Sequence, residues 1–500
     1  MMKMTLRQVM ASVDGHAAPG AVMDEGTEVT SAVTDSRLAQ SGSLFVAIAG
    51  EHVDGHDYVD AAARNGAVAA LVQHAVPDAG IAQIIVEDGV AALGELAKAN
   101  LRMRRNGAAP FTIIGITGSV GKTTTKDLLK ALLSTLGETV APVGSFNNEI
   151  GLPLTALEVG EGTRYLVAEM GANHLGEIAH LTTIAPPDIA IVLKVGVAHL
   201  GEFGSVEHIA QAKSEIVRGL LNDGVTVLNA DDARVARMQD IAPGKVVWFG
   251  IEHAQAHECD SYVAADDISL DDLGHPVFTL VSEAGVEQRV KLGITGRHNI
   301  MNALAAASVA RLESMPLEHI AAVLNSVHAI SAHRMAVSVV QEGDVRFTLI
   351  DDSFNANPDS MRAGIDGMMS WHAGDATQPT RVAVLGAMLE LGGDETRAHH
   401  DIGIYAAQSG ADVVIAVGGG NDPHLNALAR DLADGARTAM DADAVFCVDT
   451  TDEADSIVRD LGRTHADMVV LLKGSHASGL SSLATRWNDC LLYTSDAADD

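Results

Sequence analysis

Residues 115–133 read GITGSVGKTTTKDLLKALL, and the fold is decided there. Glycines at 115, 118 and 121 leave the backbone free to curl, so consecutive N–H groups can point at one anion. The run Gly118-Ser119-Val120-Gly121-Lys122-Thr123-Thr124 is the candidate cradle. Lys122 supplies a point charge for β/γ-phosphates, and Thr123 a hydroxyl suited to Mg²⁺. Ahead of it, Phe111-Thr112-Ile113-Ile114 has the make-up of a buried strand. Behind it, leucines at 128, 129, 132 and 133 recur at helical spacing. Strand, glycine loop and helix are the setting a phosphate loop needs. The strict G-x-x-x-x-G-K-[ST] pattern wants Gly at 116, where this chain has Ile. A glycine-rich turn with a chance Lys-Thr is the competing account. A phosphate loop alone names no reaction, since kinases, GTPases, motors and ligases all use one.

Outward from the loop, composition sets bounds. Five hundred residues are too many for one core and imply two to four domains. A 47% hydrophobic content with 3% aromatics describes an Ala/Val/Leu/Gly-rich globular enzyme, not a disordered chain. The formal charge of −33 argues against nucleic acid or an anionic membrane as the main partner. Cysteines 259, 447 and 490 have neither metal spacing nor a disulfide framework, consistent with a reducing compartment. No apolar run reaches membrane-spanning length and no signal-peptide h-region opens the chain, so a cytoplasmic location without stable membrane insertion is expected.

Three segments follow. Residues 1–108 alternate apolar runs (44–48, 67–72, 83–86) with Ala-rich helical stretches, a small α/β pattern. Residues 109–328 continue from the loop through buried-strand candidates at 166–169, 189–193 and 225–228, predicting a parallel sheet with helices on both faces. They close on an Ala-rich helix from Asn299. Residues 329–489 repeat the habit at 347–350, 382–385, 413–417 and 468–472. The last stretch, CLLYTSDAADD (490–500), reads as a foreign tail after a helix end, like an adapter translated in frame, so the native C-terminus is expected to be missing.

Several polar constellations sit at strand ends, where open α/β sheets bind ligands. Glu169 can hold Mg²⁺ through oxygen, or serve as a capping or surface acid. His199 in VGVAHLGEFG is a metal-ligand candidate against the commoner structural histidine. Lys213, taken alone, reads as a solvated surface lysine. Asn299 and Asn302, three apart at a helix start, suit adenine edges or an ordinary N-cap. The run 351–358, DDSFNANP, is too polar for core, and Lys473-Gly-Ser475 is a second strand-end Lys-Gly-Ser.

Taken jointly, GITGSVGKTTTKDLL, FNNEIGLPLTAL (146–157), EMGANHLGEI (169–178), VGVAHLGEFGS (195–205), AKSEI (212–216), LNADD (228–232), GRHNIMNALAAA (296–307), DDSFNANPDSM (351–361), LGAMLELG (385–392) and LLKGS (471–475) resemble the Mur ligase family. TDSRLAQSGSLFVAIAGEHVDGHDYV (34–59) is similar to that family's UDP-sugar-binding domain, and the resemblance covers about 20–485. It implies a small N-terminal α/β UDP-sugar-binding domain, a central P-loop ATPase-like parallel-sheet domain and a C-terminal Rossmann-like α/β domain. The branch it points to joins D-alanyl-D-alanine to UDP-N-acetylmuramoyl-tripeptide. ATP and Mg²⁺ are the implied cofactors, an acyl phosphate the intermediate, and a monomer the expected state.

By the same resemblance, Lys122 neutralises the phosphates, Thr123 and Glu169 hold one Mg²⁺, and His199 ligates a second. Lys213 is a site for carbamoylation, Asn299 and Asn302 face adenine, and Arg334 and Asp352 together approach ribose and phosphate from the third domain. Asp35, Ser36 and Arg37 match the uridine motif; Asn147 and Asn148 lie in the substrate-specific FNNEIG stretch, and Asn355 and Asn357 on the acceptor side. Four positions depart from the family's pattern: Ala387 for Asp, Phe354 for Tyr, His333 for Gly and His476 for Arg. A sister ligase adding diaminopimelate or lysine would carry Asp-Asn-Pro-Arg where this chain has DDSFNANPDS. A polyglutamating ligase would lack the 34–59 motif. A nucleotide-binding scaffold would show a broken loop or no Glu169. The third residue of the tripeptide stays open between diaminopimelate and lysine.

Overall fold

The structure, a computed structural model, describes residues 1–19, 23–50, 53–196, 200–254, 261–283, 285–328, 331, 333–372, 378–391, 394–465 and 467–495; for 200 and 490–495 it describes the backbone alone. Short apolar runs separated by helices form three large sheets, beside a two-stranded one that pairs Met4–Thr5 with Glu28–Val29. The first has spatial order His16–Ala17, Ala82–Ile85, Ala69–Val72, Ser43–Val46, Ser31–Val33, parallel except for the first pair.

The second is built around the strand Thr112–Thr117 that feeds the glycine loop. Tyr165–Glu169 and Thr139–Val140 lie on one side of it. Ile189–Val192, Val225–Asn229 and Val246–Gly250 lie on the other, all parallel. The sheet does not stop there. Ser261–Leu270 adds in parallel, and Pro276–Ser282 and Glu287–Lys291 then run antiparallel. The parallel sheet expected from the sequence is there, from Thr139–Val140 across to Ser261–Leu270, and an antiparallel hairpin extends it; Ser261–Leu270 is half-exposed and so lacks the continuous apolar run of its neighbours. The hairpin tip at Gly274, with φ +71°, reaches the third unit: Asp272 O accepts the His372 N–H at 2.6 Å.

The third sheet has order Ala336–Glu342, Val345–Asp352, Met468–Lys473, Thr380–Leu385, Val413–Val417, Val445–Val448, with only the first pair antiparallel. The chain reverses strand order beside Met468–Lys473, so the loops after three adjacent strands open into one crevice. The closing helix runs Leu480–Ser495, so no helix end falls before Cys490. Among the described residues, no helix is long and apolar enough to cross a membrane.

Core packing divides the molecule unevenly. One apolar cluster runs from Met4 and Leu6 through Leu93, Leu96 and Leu101 into Leu152, Leu166, Ile184 and Trp248, fusing the first unit to one face of the central sheet. The other central face packs on the Ala-rich helix Asn299–Leu312. The clusters on the two faces of the third sheet contain only residues from 335 onward.

Candidate active site

The strand Thr112–Thr117 ends in the loop, and Gly121 takes φ +86° before the helix Lys122–Leu133 begins. Only glycine suits this point: a Cβ would meet Asn302 Oδ1. Ser119 N–H donates to Lys194 O (2.9 Å), and Ser119 Oγ accepts the Gly196 N–H (3.0 Å), pinning the loop to the next strand's end. Lys122 Nζ folds onto Gly118 O at 2.8 Å. Burial lowers its pKa; Glu169 opposes that and the Arg334 guanidinium adds to it. Thr124 is buried beneath the loop.

Glu169 ends its strand 1% exposed, with both carboxylate oxygens engaged. Thr123 Oγ1 donates to Oε2 at 3.1 Å and Asn147 Nδ2 to Oε1 at 2.9 Å. Ser145 Oγ lies 3.1 Å from Thr123 Oγ1 and accepts from Arg334 Nη2 at 3.4 Å. A hydroxyl and a carboxylate facing one another at the helix N-terminus are the hard oxygen donors Mg²⁺ favours, so this pair fits such an ion. His199 lies outside the described residues. Among the described residues, no group of three His, Cys, Asp or Glu converges in a metal-binding arrangement.

Lys213 is not the solvated lysine its sequence suggested. It sits on the helix Val206–Arg218, 2% exposed, its Nζ 5.8 Å from the Phe203 ring centroid. Burial, reinforced by Lys122, lowers its pKa to about 7, with Glu177 and Glu215 opposing. The sequence held a usable signal: Ile209, Ala212, Lys213 and Ile216 fall at i, i+3, i+4, i+7, so the lysine occupies the apolar stripe.

Asn299 and Asn302 are brought together behind the loop, both buried. Asn302 Nδ2 donates to Asn299 Oδ1 (2.8 Å), Asn299 Nδ2 to Thr295 O (2.7 Å), and Thr125 Oγ1 to Asn302 Oδ1 (3.3 Å). Much of their hydrogen-bonding capacity therefore goes to holding the loop. Asn148 Oδ1 accepts the Gly151 N–H at 2.9 Å, supporting the start of the next helix. Val120 adds backbone to the loop and is half-buried.

The third unit faces this cluster. Arg334 stacks over the Phe354 ring at 4.7 Å, and Phe354 in turn lies 6.5 Å from the His476 ring. Two of the four departures from the family pattern thus pair with each other. A third, His333, has φ +61°, the left-handed conformation that suits Gly there, and bonds Asp351 through Nδ1 at 2.7 Å. Ala387 O accepts the Ser475 N–H at 2.8 Å. Asp352 is held at 2.6 Å by the buried Lys473 Nζ, which also donates to Asn355 O at 3.2 Å. Lys473 is therefore a partner of Asp352. Asn357 caps the helix Pro358–Ser370 through Ser360 N–H (2.9 Å), and Asn355 Oδ1 accepts the Ala356 N–H (2.8 Å).

Asp35, Ser36 and Arg37 form a separate cluster on the first unit. Asp35 accepts from the Arg37 backbone (2.9 Å) and side chain (2.6 Å), which brings its pKa down to about 2. Ser36 is buried, its carbonyl accepting from Asn65 Nδ2 at 2.8 Å, while Arg37 extends into solvent. Residues the sequence reading missed are Ser145, adjoining FNNEIG, and Asp232, whose carboxylate accepts the Val195 N–H at 2.8 Å and steadies the strand end.

Three α/β units arranged about one phosphate loop are the architecture of the Mur ligases, and the chain belongs to that family. Residues 28–101 match the Mur ligase family catalytic domain, 116–310 the Mur ligase middle domain, and 333–476 the Mur ligase glutamate ligase domain. The UDP-N-acetylmuramoyl-tripeptide–D-alanyl-D-alanine ligase of Mycobacterium bovis is 40% identical over 97% of each chain. The enzyme of the same name from Escherichia coli is 35% identical, over 84% of this chain and 86% of its own. A crystal structure of MurF from Acinetobacter baumannii superposes with a TM-score of 0.81 at 32% identity, covering 97% of this chain and 99% of that one. MurF ligase from Thermotoga maritima, solved in complex with ADP, gives 0.73 at 27% identity, covering 92% and 97%.

Proposed function

We propose that this chain joins D-alanyl-D-alanine to UDP-N-acetylmuramoyl-tripeptide at the expense of ATP, giving the pentapeptide precursor of peptidoglycan. The observation that carries the reading is the Lys122–Thr123–Glu169 cluster at the central sheet's edge, opposed by Arg334 from the third unit, in a chain 40% identical along its length to a ligase of that name. A carboxylate is a poor electrophile until phosphorylated. Bringing it to the γ-phosphate requires cations between two anions. Lys122 and Arg334 supply fixed positive charge there, and the loop's N–H groups orient the phosphates. Mg²⁺, held by Thr123 and Glu169 with His199 expected at a second ion, would add Lewis-acid charge neutralisation. Asp352, held by Lys473, and the pair Asn299–Asn302 line the nucleoside side. Asn355 and Asn357 line the acceptor side, Asn147 and Asn148 border the UDP-sugar-linked substrate, and Asp35, Ser36 and Arg37 take its uridine. Closure of the third unit excludes water from the acyl phosphate.

Lys213 is the site we assign to carbamoylation. With a pKa near 7, a large share of its amine is neutral at physiological pH, and only the neutral amine adds CO₂. The amine nitrogen bonds the carbon and releases one proton, turning a cation into a carboxylate-like group.

The deciding experiment measures phosphate release with UDP-N-acetylmuramoyl-tripeptide and ATP, with and without D-alanyl-D-alanine. Release that requires the dipeptide, with a pentapeptide product by mass, is expected. Release without an acceptor, or with a single amino acid only, overturns the assignment.

A further inference from the structure

Lys126 is among the largest fully buried side chains, 1% exposed, yet nothing in the reaction calls for it. It lies one turn beyond Lys122 on the loop's own helix. Its Nζ donates to Pro142 O (2.9 Å), Gly144 O (3.2 Å) and Ser331 Oγ (3.2 Å), and pairs with Asp127 Oδ1 at 2.8 Å. Asp127 Oδ2 in turn accepts the Ser331 backbone N–H at 2.9 Å. One ion pair therefore grips the hydroxyl and the backbone N–H of a single residue in the connection to the third unit. The same lysine fixes the segment whose next residue, Ser145, meets Thr123 and Arg334.

Just beyond Ser331 the backbone is unusual. His333 has φ +61° and Met335 φ +52°, two non-glycine residues in the left-handed region, with Arg334 between them. Each such residue costs about 1–2 kcal/mol unless its surroundings hold it there. A pinned Ser331 on one side and the His333–Asp351 bond on the other supply that hold.

We infer that Lys126 and Asp127 are positioning residues for Arg334: they pin the interdomain connection to the phosphate-loop helix, so the third unit turns about residues 333–335 and carries the Arg334 guanidinium to the phosphates. The inference rests on the ligase reading above. It goes further in assigning a role to two residues that touch no substrate. The pair suits this task because Lys126 is buried, so losing Asp127 leaves its charge uncompensated, which resists slippage of the connection.

The test compares wild type with Asp127→Ala, Asp127→Asn and Ser331→Ala. ADP–Mg²⁺ affinity is measured by calorimetry, nucleotide-induced compaction by solution scattering, and turnover in the ligase assay. Wild type is expected to bind ADP and contract. Asp127→Ala is expected to bind ADP as wild type does, to lose the contraction, and to lose about 10²-fold in kcat, the scale of a small misplacement of a reacting group. Asp127→Asn, which keeps an acceptor for the Ser331 N–H, is expected to recover most of the contraction. Ser331→Ala, which retains that N–H, is expected to fall between them. Contraction and kcat unchanged in Asp127→Ala overturn the inference. So does ADP affinity falling in step with kcat, since the pair would then only support the loop. Wild type that fails to bind ADP overturns the ligase reading, and the inference with it.

Discussion

The central unit meets its two neighbours by opposite means. Toward the first unit it presents a seam. Arg104 on the helix Gly89–Arg105 is 2% exposed and donates to Thr163 O, Ala109 O and Pro110 O at 2.8–3.0 Å while stacking over Phe111. Asn100 bridges Ala156 O and Val159 O, and Arg105 forks onto Asp188. Around these bonds runs the one apolar cluster the two units share. Toward the third unit there is a cleft. Its walls meet through Arg334–Ser145, the Ser331 clasp and the hairpin tip, and among the described residues neither apolar cluster of the third sheet takes one from across it. Shared apolar area makes two units move as one; a polar contact surface lets them rotate. This contrast predicts that the seam carries stability and the cleft carries turnover.

The sharpest attack on that division is Glu169→Gln. The substitution keeps size and most hydrogen bonds but removes the charge that faces Thr123. Turnover is expected to fall by about 10²–10³-fold, the usual cost of one electrostatic contact in a reacting site. The melting temperature should hold. A loss of melting temperature matching the loss of rate would mean that the cleft is structural after all.

Arg104→Ala tests the other side. It removes the partner of one buried carbonyl, Thr163 O, and of the more accessible Ala109 O and Pro110 O, and a cost of about 1–3 kcal/mol is expected in denaturant unfolding. The protein that remains folded should show kcat close to wild type. A fall in kcat with stability intact would place the seam in the catalytic cycle.

How far the sequence foretold this follows the same division. The phosphate loop was legible because its glycines, Lys122 and Thr123 act within one short stretch, through backbone geometry. The parallel strands were legible as apolar runs. The three sheets and the motif order pointed to the family that the comparisons bear out. The strands at 261–291 were not read: Ser261–Leu270 and Glu287–Lys291 are half-exposed and largely polar, and the apolar run of Pro276–Ser282 between them was passed over. Arg104 and Lys126 were given no role from the sequence, because each serves a carbonyl, of Thr163 and of Pro142, that no local pattern links to it. Lys213 could have been found from its place in the apolar stripe, and its burial bears on the next prediction.

Lys213 stands where function and stability oppose one another. Its folded pKa, about 7, lies below the ordinary lysine value of 10.5, so between those values the unfolded chain binds more protons. Stability should rise with pH across that window by up to about 1.4 kcal/mol per unit from this group. In CO₂-free buffer, Lys213→Met is expected to remove that slope and to gain stability near pH 7 while losing activity. An unchanged slope would mean that another group titrates there.

The smallest effect is expected at His333, where the cleft's hinge departs from the glycine its φ of +61° favours. His333→Gly removes a left-handed penalty of about 1 kcal/mol. It also removes the partner that offsets the buried Asp351, whose carboxyl is already pushed up by burial despite Ser353 and His333. A carboxyl with a raised folded pKa favours the fold most in acid, and that contribution is lost as pH rises through the folded value. The two effects should therefore nearly cancel at neutral pH, leaving a net change within about 1 kcal/mol. Toward the ordinary carboxylate range Asp351 takes up its proton, the missing partner matters less, and the variant should become the more stable protein. Equal destabilisation at both pH values would show that the His333–Asp351 hydrogen bond does not set the balance and that His333 holds the hinge by packing alone.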